Sequence, residues 1–127
     1  MAHYFTVEEA NAALGTIRPL LKDILAIRAS ILERHPETWS LVEKVAGNGG
    51  SPEASRLVED FDRLDRLVHQ LQATGAILKD INTGLIDFPA MRGDQEVYLC
   101  WQYGERELAF WHEIDAGFAG RQPIETF

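Results

Sequence analysis

Asp87, Glu96 and His112 bring two carboxylates and an imidazole to the second half of this chain. That donor set suits a divalent cation such as Zn²⁺, Mn²⁺ or Fe²⁺. Alternate residues of a strand share a face. Asp87 therefore falls with Leu85 and Pro89, Glu96 with Tyr98 and Cys100, and His112 with Phe110 and Leu108. Strands paired as a meander would bring the three donors together near one end of a sheet. Glu113 or Asp115 could then serve as general base for metal-bound water, the arrangement of a metal-dependent hydrolase. The spacing is not diagnostic, because no H-x-x-x-H, H-E-x-x-H or C-x-x-C occurs and His3, His35 and His69 lie on other segments. The plainer alternative is that His112 hydrogen-bonds a neighbouring carboxylate and orders the tail.

A second constellation follows at once in Ala116-Gly-Phe-Ala-Gly-Arg-Gln122. Gly117 and Gly120 permit left-handed backbone whose amides converge on an anion, and Arg121 could clamp a carboxylate or phosphate bidentately. An internal pair between Arg121 and an Asp or Glu would instead pin a turn. Trp101 and Trp111, close if their strands pair, offer an aromatic shelf beside His112. Together these residues describe a binding module with a small-molecule or anion pocket on the sheet and tail. Cys100, the single cysteine, lies in the apolar run Val97-Tyr-Leu-Cys-Trp101 and reads as a buried thiol. The four serines, Ser30, Ser40, Ser51 and Ser55, lack nucleophile-elbow context. No strand feeds a glycine-rich loop into a helix, so a nucleotide-binding fold has no support.

The elements that must position these groups divide the chain at Gly75. Thr6-Val-Glu-Glu9 reads as a capping box, with Phe5 as half of a hydrophobic staple. Val7, Ala10, Leu14, Ile17, Leu21, Ile24 and Ile31 then recur at helical spacing, and Pro19 predicts a kink. A short helical stretch over residues 37–46, a Gly47–Gly50 loop and a Ser51-Pro52 cap lead to a second helix. Its buried seam is Leu57, Phe61, Leu64, Val68 and Leu71, and Gly75 suits the stop. Leu20, Leu25 and Ile27 widen the first seam beyond what one partner helix covers, which predicts a homodimer through the helices. A purely structural homodimer is thus a third functional reading.

Beyond Gly75 the period becomes that of strands. Ala76–Asp80 and Leu85–Phe88 flank an Asn82-Thr-Gly84 turn, and Glu96–Gln102 turns at Tyr103-Gly-Glu105 into Glu107–Glu113. The expected fold is α+β: an N-terminal antiparallel helical hairpin packed on a small C-terminal antiparallel β-meander. One domain spans residues 1–127, helical to residue 75 and β-meander with tail over 76–127.

Composition narrows the partners. With 127 residues, 46% of them hydrophobic, the chain can bury a core without staples. A net charge of −8 repels phosphate backbones and anionic membranes. After Gly75 nine acids face only Lys79, Arg92, Arg106 and Arg121, so that half favours a cation over a polyanion. A lone cysteine, no signal-like N-terminus and no transmembrane-length apolar run lead us to expect a cytoplasmic protein.

Three stretches are distinctive: Phe5-Thr-Val-Glu-Glu-Ala-Asn11, Lys79-Asp80 with Thr83-Gly-Leu-Ile-Asp-Phe-Pro89, and Glu96-Val-Tyr-Leu-Cys-Trp101. The tail Trp111-His-Glu-Ile-Asp-Ala-Gly-Phe-Ala-Gly-Arg-Gln-Pro123 is the most specific. In these stretches the chain resembles a bacterial family known as domain of unknown function 2203. The resemblance implies a small stand-alone protein and carries over neither an activity nor catalytic residues.

Overall fold

Thr6 and Glu9 start the first helix by satisfying each other's backbone. The Glu9 amide donates to the Thr6 hydroxyl at 3.0 Å and the Thr6 amide to the Glu9 carboxylate at 2.9 Å. The computed structural model describes residues 3–34, 36, 39 and 56–127. Helix α1 spans Val7–Arg34 and continues through Pro19; Ala10, Leu14, Ile17, Leu21, Ile24, Ile27 and Ile31 are buried along it. Helix α2 spans Arg56–Gln72 and buries Phe61, Leu64, Val68 and Leu71. The expected short helix, the glycine loop, the Ser51-Pro52 cap and the Leu57 side chain lie outside the described residues.

The two helices run antiparallel. Arg34 at the end of α1 pairs with Asp60 near the start of α2. At the other end, Gly75 beyond α2 sits against the Phe5 ring ahead of α1. Part of the width of the first seam is taken up inside the chain. Ile27 is buried, Leu20, Leu25 and Leu32 are half-buried against the same core, and Leu21 and Leu25 reach the turn at Gly84.

Five antiparallel strands follow, each paired with the next: β1 (Ile77–Asp80), β2 (Leu85–Arg92), β3 (Gln95–Gln102), β4 (Phe110–Glu113) and β5 (Gln122–Pro123). The fold is α+β with helices first and strands second, as the change of period predicts. Ile86, Phe88, Ala90, Val97, Leu99, Trp101 and Trp111 form the inner face and join the helix seams in one core. Leu85, Asp87, Pro89, Tyr98, Cys100, Gln102, Phe110 and His112 form the outer face, by register.

Strands β1 and β3 start within one residue of the sequence expectation, at Ile77 and Gln95, while β2, β4 and the tail differ from it more. Strand β2 runs on to Arg92 because Gly93-Asp94 makes a two-residue hairpin with Arg92 opposite Gln95. Pro89 is tolerated inside it since β1 reaches only to Asp87; the free Pro89 carbonyl accepts from the Phe5 amide at 2.7 Å. Strand β4 starts at Phe110, not Glu107. The Leu108 amide is drawn to Asn11 on α1 at 2.8 Å, and the Glu105 carboxylate takes the Gln102 amide at 2.7 Å. The tail folds back as a fifth strand, with the Ile124 amide on the Ala109 carbonyl at 2.9 Å. Among the described residues no helix is long and apolar enough to cross a membrane.

Candidate metal centre

Strand register builds the site. The two-residue hairpin sets Asp87 opposite Cys100, and the next pairing sets Tyr98 opposite His112. Asp87, Cys100 and His112 therefore meet on the outer face, at relative exposures of 0%, 0% and 2%. One potential ligand atom from each lies within 4.8 Å of the other two.

The protons of this cluster can be accounted for. His112 Nδ1 lies 2.7 Å from the Glu113 carbonyl oxygen, which only accepts, so Nδ1 carries a hydrogen. Nε2 lies 3.1 Å from Asp87 Oδ1. An unprotonated Nε2 facing a carboxylate oxygen requires a cation between them, either a second proton or a metal ion. Two metal–ligand bonds at a tetrahedral angle would separate N and O by roughly 3.3 Å, near the distance seen. Among the described residues, buried Asp87 Oδ2 has no hydrogen-bond partner, a costly state for a carboxylate oxygen, and the Cys100 thiol beside it interacts with the Asp87 carboxylate.

Cys100 completes the set. Burial, followed by the Asp87 charge, pushes its thiol up to about 12, with Arg121 pulling the other way. At neutral pH the thiolate fraction is on the order of 10⁻⁵, and His112 Nε2 is turned to Asp87. Burial and the raised value therefore keep the thiol protonated and weaken it as a nucleophile, although a bound metal would deprotonate it outright. The Tyr98 ring closes one side at 5.6 Å from His112, edge on, and carries the Lys79 ammonium 5.6 Å from its own centroid.

The other residues singled out by sequence take different places. Glu96 shares the outer face but sits four residues from Cys100 at the exposed end, where it accepts the Tyr4 hydroxyl at 2.6 Å. That bond raises the Tyr4 hydroxyl above its ordinary value. Glu113 lends its carbonyl to His112 while its carboxylate accepts from Gln95 at 2.9 Å. Asp115 is exposed and lines a surface recess with Glu96 and Glu113. Trp101 and Trp111 are buried on the inner face, across the sheet from His112, because neighbouring residues of a strand point oppositely. Tyr98 and Phe110 take the place beside His112 that the aromatic shelf would have filled.

Arg121 and the glycines form a clasp. The guanidinium donates to the Glu105 carboxylate at 2.7 Å and the Cys100 carbonyl at 3.3 Å, and lies 3.9 Å from the Phe110 and 4.6 Å from the Phe118 ring centroids. Burial alone would pull the guanidinium down, but the bond to Glu105 and the nearby Cys100 and Glu105 groups outweigh it and hold it above its usual value. The Gly120 amide donates to Gly117 and the Arg121 amide to Phe118, so the turn spends both on itself. Gly120 is required by packing, since a Cβ there would stand 2.4 Å from Ala116 Cβ.

Sequence reasoning left Cys100 out of the donor set. Its signal was Gly93-Asp94: a two-residue turn there fixes the register and puts Cys100 across from Asp87.

The model of an uncharacterized conserved protein family, DUF2203, matches residues 3–124. The chain belongs to the DUF2203 family. The match covers both helices and the Asp87, Cys100 and His112 positions of this DUF2203 chain. No curated protein and no solved structure matches it significantly.

Proposed function

We propose that this protein is a small cytoplasmic metal-binding module whose ligands are Asp87, Cys100 and His112. One observation carries the reading: three buried donors of different chemistry converge, while among the described residues Asp87 Oδ2 has no hydrogen-bond partner. A His112–Asp87 hydrogen bond that only ordered the tail would need neither the thiol nor an orphaned oxygen. The mixed N, O and S set suits Zn²⁺, or Fe²⁺ in a reducing compartment, over Mg²⁺ or Ca²⁺. The Glu113 carbonyl supports it by fixing the His112 tautomer, as outer-sphere partners of metal-bound histidines do. Burial of all three donors favours storage, transfer or a structural role over hydrolysis of an external substrate.

The test is elemental analysis of untagged, dialysed protein, followed by Co²⁺ titration read as the thiolate-to-cobalt absorption band. Near-stoichiometric uptake with that band, both lost in Cys100→Ser, is the expected result. Thermal melting of Cys100→Ser verifies that the variant is folded. Metal-free protein that takes up neither Zn²⁺ nor Co²⁺, or binding unchanged in Cys100→Ser, would overturn the reading.

A further inference from the structure

A second feature lies away from the outer-face cluster. A cleft of about 520 Å³ opens between α1 and the turn after β3, lined by Arg18, Pro19, Lys22, Trp101, Tyr103 and Glu105. That volume lies within the range of small-molecule sites.

The wall has an unbalanced charge. Arg18 and Lys22 stand one helical turn apart on the same side of α1, a spacing at which like charges repel. Among the described residues neither pairs with a carboxylate. The acid in the wall, Glu105, is already taken by Arg121 and the Gln102 amide. In a chain with net charge −8, two cations face one recess with no carboxylate paired to either among the described residues.

The rest of the lining is planar and apolar. The Arg18 guanidinium lies 5.7 Å from the Trp101 ring centroid and gives one N–H to the Arg106 carbonyl, which holds its orientation and leaves its other N–H groups available. Tyr103 packs edge-on against Trp101 at 6.2 Å and stays 39% exposed. Pro19 adds a rigid apolar lip.

We infer that this cleft binds a small organic anion carrying a planar ring. Lys22 and the free N–H groups of Arg18 take the carboxylate or phosphate monoester, and Tyr103 and Pro19 take the ring. No residue of the metal cluster lines the cleft, so this inference and the metal reading stand or fall separately.

The experiment is an NMR titration of the full chain with 4-hydroxybenzoate and adenosine monophosphate, following the assigned Trp101 and Trp111 indole N–H signals. Inorganic phosphate and adenosine serve as the separate halves. The expected result is a saturable shift at Trp101 and not at Trp111 with at least one ring-bearing anion. Lys22→Glu, an exposed change that leaves the core intact, should weaken that binding at least tenfold, and Tyr103→Leu should weaken it while sparing inorganic phosphate. No shift at Trp101 with either ring-bearing anion, or an affinity unchanged in Lys22→Glu, would overturn it. A carboxylate-only or phosphate-only response identifies the anion and supports the inference.

Discussion

At Cys100 the burial that weakens the thiol as a nucleophile also keeps it available as a ligand. In metal-free protein the raised value has a direct consequence for stability. The unfolded chain loses the thiol proton near pH 9, while the folded chain keeps it up to about 12. Between those limits the unfolded state binds fewer protons, so stability falls as pH rises, by at most about 1.4 kcal/mol per pH unit from this group. Below pH 9 the contribution is fully present. Lysine and tyrosine titrate over the same range, so the informative quantity is a difference. Urea melts at pH 8 and pH 10.5 should show the wild type losing more stability than Cys100→Ala. Equal losses would mean that the thiol titrates in the fold as it does in the unfolded chain.

Turns decide which residues meet at the scale of elements, and they were the least legible part of the sequence. The helix start at Thr6, both helix seams and the turn at Gly84 could be read because capping chemistry and periodicity are local. The Asp87–Cys100–His112 meeting depends on register, and register rests on Gly93-Asp94, whose Gly takes φ 61°. Strand β5 gives almost no periodic signal, having two residues. Two glycines separate turn strain from packing. Gly84 and Gly93 have similar left-handed backbones, φ 72° and 61°. A Cβ at Gly93 meets nothing within 4 Å, whereas one at Gly84 stands 2.8 Å from Tyr103 Cβ. Gly93→Ala should cost about 1 kcal/mol from backbone conformation alone. Gly84→Ala should cost a further ~1–3 kcal/mol, because β3 and the Tyr103 turn must shift. Chemical denaturation of both variants measures the gap; equal costs would mean that the turn at Gly84 moves freely.

Across the whole molecule the sheet separates two kinds of chemistry. Its inner face is apolar and shared with the helices, while among the described residues no helix layer covers its outer face, which still buries Asp87, Cys100 and His112. Part of that cover is the tail, which serves both faces. Residues 124–127 pin the inner face: the Trp111 indole donates to Thr126 at 2.9 Å, and Ile124 and Phe127 pack on the core. Phe118 and Arg121 serve the outer face, holding Phe110 and the Cys100 carbonyl. Two truncations separate these duties. Removing residues 124–127 should cost about 2–4 kcal/mol through lost burial and the lost Trp111 bond. Cys100 should then become alkylated by iodoacetamide faster only in proportion to the lost stability. Removing residues 118–127 also takes away Arg121 and Phe118. Alkylation of Cys100 should then exceed what the stability loss explains, because the thiol is uncovered without global unfolding. If both truncations fall on one line of alkylation rate against stability, the tail acts as a brace alone and the outer-face cluster is sealed by its strands.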